Sequence, residues 1–180
     1  MNKTVIKNYQ IISIVFTFIL GTLLHFAFNL SGQNIIIALF SSINESVWEH
    51  LKLVFFPMVI TTIIGAFYFN KNVPNFLCSK TIGLLTSMCF TIIFFYTYTG
   101  VLGNNIAFID ISSFFIATLL GEYVGYKLIM SKFNCNNKVS IIVLLALFIS
   151  FLVFTYFTPN IGIFKDPITG QYGIIKKYLT

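Results

Sequence analysis

Residues 41–52 read SSINESVWEHLK and hold two of the chain's five acidic residues, its only tryptophan and one of its two histidines. Carboxylates and imidazoles move protons in general acid–base catalysis. They also ligate divalent metals when several converge on one point. On a continuous helix Glu45, Trp48, Glu49 and Lys52 share one face, and His50 points about 100° away from Glu49. Two carboxylates four residues apart repel unless a cation stands between them; Lys52, a protonated histidine or a metal ion would serve. A glutamate kept protonated beside an ionised neighbour would instead make an acid–base pair.

Helix capping competes with this chemistry. Ser42-Ile43-Asn44-Glu45 matches a capping box, and Ser46-Val47-Trp48-Glu49 matches it again one turn later. Acids also suit the positive start of a helix. Only one register can be the true cap. Capping accounts for Glu45 as readily as chemistry does, and for Glu49 and His50 less, so the expectation of chemistry rests on the latter two. Trp48 fits an interfacial anchor, and Lys52 a snorkelling lysine. Zincin motifs, a G-x-S-x-G elbow and a P-loop are all missing; the inverted H-x-x-E-H pattern would need histidine where Ser46 stands. A metal centre here would have to be assembled from several helices.

The elements that position these residues follow from composition. Of 180 residues 57% are hydrophobic and only 9% charged, against about 25% charged in soluble domains. One soluble core cannot hide that much apolar surface, so the bilayer is the expected solvent for a single all-α domain. Five stretches are long enough for a hydrocarbon layer of about 30 Å, near 9–30, 45–69, 79–99, 108–130 and 139–158. The backbone of each must satisfy itself, which predicts helices. IIIALF at 35–40 is too short to span and reads as re-entrant or interfacial. A sixth span would need it or the tail after Pro159. The first span resembles a signal peptide, but its apolar run is long and no small-residue cleavage site follows.

Lysine sets the expected orientation, since the chain has no arginine. Lys3, Lys7, Lys71, Lys80, Lys127, Lys132 and Lys138 flank one side, which the positive-inside rule makes cytoplasmic. The N-terminus then lies inside and the C-terminal tail outside; Lys165, Lys176 and Lys177 in the tail oppose the bias. The net charge of +6 suits anionic lipid headgroups. Nucleic acid is excluded as a partner because the lysines form no basic face interleaved with aromatics. Cys78, Cys89 and Cys135 do not share the outer face, which predicts no disulfide, and they show no zinc-type spacing.

Sorted by this topology, His25, Glu45, Glu49, His50, Asp110 and Asp166 gather at one end. Ionisable groups at such depth face the bundle interior or a cavity, which predicts an outward polar pocket. Glu49, His50, Glu45, His25 and Asp110 are the candidate catalytic residues. Asn44, Trp48, Lys52, Tyr98 and Asp166 are candidate substrate contacts. A divalent metal, if bound, would be held by His25, Glu49, His50 and Asp110. The tail TPNIGIFKDPITGQYGI at 158–174 is rich in turn signals yet keeps apolar residues; it reads as an ordered, irregular cap that carries Asp166 toward the cluster. Elsewhere, Pro57 should kink the second span. Gly121-x-x-x-Gly125 reads as a packing motif, and Glu122 between those glycines as a buried, paired glutamate.

NESVWEHLK at 44–52, YTYTGVLG at 96–103, DISSFF at 110–115, LGEYVGYK at 120–127 and PNIGIFKDPITGQYGI at 159–174 resemble an uncharacterised family of bacterial multipass membrane proteins. The resemblance implies a bacterial cytoplasmic-membrane protein and carries no activity. Three functional classes fit. One is a membrane-embedded hydrolase or transferase with a small-molecule, peptide or lipid-linked substrate. The second is a small-solute binding or transport subunit; it resembles the capture component of energy-coupling vitamin transporters, but lacks their alanine-spaced motif and their usual six spans. The third is a structural or sensory protein. The acid–histidine pairs exceed what a neutral solute needs and favour the enzyme.

Overall fold

The computed structural model describes residues 3–69, 71–131 and 133–175. Five long helices are present: α1 (Lys3–Leu30), α3 (Val47–Phe69), α4 (Phe76–Leu102), α5 (Ala107–Met130) and α6 (Asn137–Tyr156). All five are long and apolar enough to cross a membrane. At 1.5 Å per residue they run roughly 30–42 Å. The piece at 35–40 makes only the one-turn helix α2 (Ile35–Ala38), and the tail holds one 3-10 turn (Gly162–Phe164). Among the described residues the only strand-like feature is a single bridge between Lys165 and Tyr172. Helix α1 starts earlier than expected, so Lys3 and Lys7 ride on its first turns. Lys132, Lys176 and Lys177 lie outside the described residues.

With five crossings, the α1 C-terminus and the starts of α3 and α5 meet at one end, together with the tail. That end carries both histidines. Helix α3 is the centre of the bundle, with buried side chains on every face, as expected of a helix that is apolar all round. Leu51, Val54, Phe55, Phe56 and Met58 pack with Leu84 and Met88 of α4 and Phe151 of α6. Lipid supplies no hydrophobic drive for helix association, so close packing and hydrogen bonds must do so. Gly83 and Gly121 let α4 and α5 touch backbone to backbone: a Cβ on Gly83 would collide with the Gly121 carbonyl. Beside them, the Ser87 hydroxyl donates to the Ala117 carbonyl at 2.8 Å. Pro57 lies inside α3 without ending it. It cannot donate to the Leu53 carbonyl, whose oxygen instead faces α1 where Gly21 has no side chain; a Cβ there would approach it to 2.6 Å.

Two buried ion pairs tie the bundle. Near the opposite end Lys80 pairs with Glu122 and also donates to Gln10 Oε1 at 3.0 Å and Ser13 Oγ at 3.2 Å. The Ser13 hydroxyl reaches Glu122 Oε1 at 2.6 Å. Lys80 is therefore an interior residue, not the headgroup-flanking lysine expected from its place beside a loop. The second pair, Glu49–Lys52, lies at the histidine end.

The absence of disulfides expected from sequence is overturned, because Cys78 and Cys135 are bonded, with Cα atoms 6.3 Å apart. The first turn of α4 and the loop before α6 meet at the same end, where Asn137 donates to the Pro74 carbonyl at 2.8 Å. Proximity there is a product of helix packing that spacing alone does not reveal. Disulfides persist in oxidising compartments, so this bond and the lysine flanks pull the assignment of that end in opposite directions.

A buried ion that loses its partner is left uncompensated, at a cost of about 3–5 kcal/mol. Glu122→Ala is expected to lose that much stability in detergent denaturation. The double variant Lys80→Met/Glu122→Leu should recover most of it.

Candidate functional site

The loop 41–46 seats itself on α1 before α3 begins. The Ser41 hydroxyl donates to the Leu24 carbonyl, and its oxygen accepts the Phe28 N–H at 3.0 Å. Asn44 Oδ1 accepts the Ser46 N–H at 2.8 Å, and Ser46 Oγ accepts the Glu49 N–H at 3.4 Å. The cap is thus in the second register, at Ser46, and Glu45 stands ahead of the helix. Its N–H donates to Asp166 Oδ2 at 3.1 Å, so the tail fixes its backbone and leaves its side chain free to turn toward α1.

There it meets both histidines. Glu45 Oε2 is 3.4 Å from His50 Nε2, and Oε1 is 3.9 Å from His25 Nε2. The two rings lie 5.3 Å apart, centre to centre. One ligand atom from each of the three residues falls within 4.8 Å of the others. For His50 the opposite edge of the ring decides what Nε2 carries. His50 Nδ1–H donates to the Ser46 carbonyl at 2.9 Å, since a carbonyl only accepts. Ser42 Oγ lies 3.2 Å from both His25 Nδ1 and the His25 carbonyl oxygen, and its single proton serves either, so this contact holds the His25 ring in place without setting its tautomer. In neutral His50 the Nε2 atom therefore presents a lone pair to the Glu45 carboxylate. Lone pairs facing a carboxylate repel, and a cation between them, a proton or a metal ion, removes the conflict.

The cluster forms one end of a cavity of about 250 Å³ among α1, α3, α4 and α5. Asp110, at the start of α5, lies on another wall of it with Asn105. Its carboxylate accepts from the Tyr98 hydroxyl and, at 3.4 Å, from Asn105 Nδ2. The rest of the lining is largely apolar, with Phe18, Phe26, Leu53, Phe95 and Phe114 prominent.

Several residues expected at the site are elsewhere. Glu49, only 3% exposed, pairs with Lys52 Nζ at 2.7 Å and accepts the Ile43 N–H at 3.0 Å. Lys52 is fully buried and also donates to Thr155 Oγ1 at 2.7 Å and to the Ala38 carbonyl at 3.1 Å. This knot joins α3, α6 and the α2 turn. Glu49 is thus neither a ligand of the cluster nor a lining residue, because one helical step turns it away from His50. Trp48 packs on Phe151 and Phe164 at 4.7 and 4.8 Å, facing α6 and the tail. Asn44 Nδ2 donates to the Gly173 carbonyl at 2.8 Å. Besides holding Glu45, Asp166 accepts the N–H groups of Ile168 and Thr169, both at 2.8 Å; the described part of the tail braces the 44–46 loop, and none of its residues lines the pocket. Tyr98 positions Asp110 and accepts the Ile106 N–H at 3.3 Å. The sequence reading missed Asn105 and the aromatic lining. Phe18, Thr22, His25 and Phe26 do recur at helical spacing, a signal diluted because large apolar residues also cover the lipid-facing side of α1.

Fold and site together define a protein of membrane-spanning helices with a histidine–carboxylate cluster at one end of the bundle. The chain belongs to a family described as Family of unknown function (DUF6512), whose sequence profile matches residues 1–174. No curated protein and no solved structure matches it.

The two glutamates should therefore separate experimentally. Glu49→Gln leaves Lys52 buried without a counter-charge and is expected to cost about 3–5 kcal/mol. Compared in metal-free, chelator-treated protein, Glu45→Gln, at a one-third exposed position, should change stability by no more than about 0.5 kcal/mol. Urea or thermal unfolding of the two variants in one detergent makes the comparison.

Proposed function

We propose that this protein is a membrane-embedded, metal-dependent hydrolase whose ion is held by His25, Glu45 and His50. The observation that carries this reading is the convergence of one ligand atom each from His25, Glu45 and His50 within 4.8 Å of one another, with the Nδ1–H of His50 occupied by the Ser46 carbonyl. Metal-binding histidines are oriented in this way, by a hydrogen bond from the ring nitrogen that does not bind. Two histidines and a glutamate make a known catalytic zinc set that leaves a position open for water. Tetrahedral bonds of about 2.0–2.2 Å separate ligand atoms by roughly 3.3–3.6 Å; the 3.4 and 3.9 Å gaps run to different oxygens of Glu45, and one ligand atom from each residue falls within 4.8 Å of the others, so binding an ion draws the three side chains together by about 1 Å. All three side chains are about one-third exposed, which leaves room for a substrate.

A bound metal makes its water nucleophilic near neutral pH. The chain's own groups supply the rest. Asp110 is the remaining ionisable side chain of the pocket and is the candidate base that takes the proton from water and returns it to the leaving group. Tyr98 and Asn105 orient its carboxylate. The lysine flanks of the opposite end support a bacterial cytoplasmic membrane with the site outward. The disulfide there argues for the reverse; the chemistry is the same in either leaflet.

Protein purified in detergent is expected to carry about one equivalent of zinc, manganese or iron by elemental analysis. Its unfolding temperature should fall on chelation and return on adding the ion, because a ligand that binds only the folded state stabilises it. Glu45→Gln and His50→Ala should each abolish that response, whereas Asp110→Asn should keep the metal and lose turnover. An unloaded wild type with no metal-dependent stabilisation would sink the reading in favour of an internally neutralised polar cluster.

A further inference from the structure

We infer that the substrate is an amphiphile of the bilayer itself, which enters sideways between α1 and α5 and keeps its polar head at the histidine cluster. This rests on the hydrolase reading for its chemistry and on separate observations for its binding. The ionisable groups of the cavity lie at one end only. His25, Glu45, His50, Asp110 and Asn105 ring the end near the loops, and Phe18, Leu53 and Phe114 line the part deeper in the bundle. Along α1 the seven helical steps from His25 to Phe18 span about 10 Å, so the apolar part runs from the headgroup region into the depth of acyl chains. A water-soluble substrate gains little from such a floor, whereas a hydrocarbon chain fills it without leaving a lipid-like environment.

The side wall is open where it must be. Phe18 stacks on Phe114 with centroids 5.7 Å apart and meets Phe115 edge-on at 4.9 Å, which closes the α1–α5 seam at the floor. Above that closure, Thr22 and Phe26 of α1 and Ile111 of α5 all line the cavity. Phe26 is 53% and Ile111 63% exposed, on the outer surface of helices whose surroundings are lipid. Residues that both line a cavity and face lipid mark a lateral mouth. Gly21 extends the floor by exposing the Leu53 carbonyl, which Pro57 leaves without its usual helical donor; a side chain at Gly21 would run into that oxygen and the Phe114 ring.

The probe is a phosphatidylglycerol carrying a diazirine in mid-chain, reconstituted with the protein in phosphatidylethanolamine–phosphatidylglycerol vesicles and photolysed. Leu53 and Val54 line the cavity but are only 5% and 0% exposed, so a chain reaches them only by entering. Label on these two residues is the expected result. Thr22→Trp, at an exposed position of the mouth, should cut it at least fivefold and leave label at lipid-facing Ile12 unchanged. Label at Ile12 with none at Leu53 or Val54 overturns the proposal, as does label at Leu53 that Thr22→Trp does not alter. Metal content measured on the same wild-type sample separates the two readings. Metal without inner label removes the bilayer substrate and keeps the hydrolase; inner label without metal keeps the lipid pocket and removes the metal centre.

Discussion

The Glu49–Lys52 ion pair organises the functional end of this molecule. Two opposite charges taken wholly out of water must satisfy nearly every donor and acceptor they own. Here that requirement gathers separate pieces of chain around one point. Glu49 holds the Ile43 N–H, and Lys52 holds the Ala38 carbonyl and the Thr155 hydroxyl. The α2 turn, the 41–46 loop, the first turn of α3 and the last turns of α6 are thereby fixed to one another. Because α3 starts where this knot allows, His50 is turned toward α1 and Glu45 is left in the loop beside it.

The tail completes the arrangement from outside. Asp166 spends its carboxylate on three backbone N–H groups, one of them Glu45's own. Asn44 links the same loop to Gly173, while Trp48 is wedged against Phe151 and Phe164. The loop that carries the carboxylate of the cluster is thus held by α1 on one side and the tail on the other. Such support preorganises the three side chains, because their positions are set by contacts outside the cluster.

The two ends of the bundle spend their polar residues differently. At the opposite end Lys80 and Glu122 neutralise each other inside a ring of hydroxyl and amide groups. At the histidine end the ionisable groups are split into a closed pair, Glu49–Lys52, and an open, partly exposed cluster of His25, Glu45 and His50. Membrane interiors penalise unpaired ionisable groups, so an incompletely neutralised cluster beside a cavity stands out against that background.

Much of this was legible in the residues alone. Five spans, an irregular tail, the inability of 35–40 to cross, and the gathering of His25, Glu45, His50 and Asp110 at one end all follow from hydropathy, length and the alternation of crossings. Those quantities are additive along the chain and need no knowledge of neighbours. The division of labour within SSINESVWEHLK was not legible, because two capping registers fit equally well and a helical step of about 100° reverses which glutamate faces the histidines. The choice was made by contacts distant in sequence: Thr155 on Lys52, Asp166 on the Glu45 backbone, Gly173 on Asn44. The Cys78–Cys135 bond and the aromatic floor likewise arise only when helices pack. Sequence by itself determined that His25, Glu45, His50 and Asp110 would gather at one end of a bundle of membrane-length helices. Tertiary structure decided that Glu45, not Glu49, stands at it, because a buried lysine had to be neutralised and Glu49 was the carboxylate within its reach.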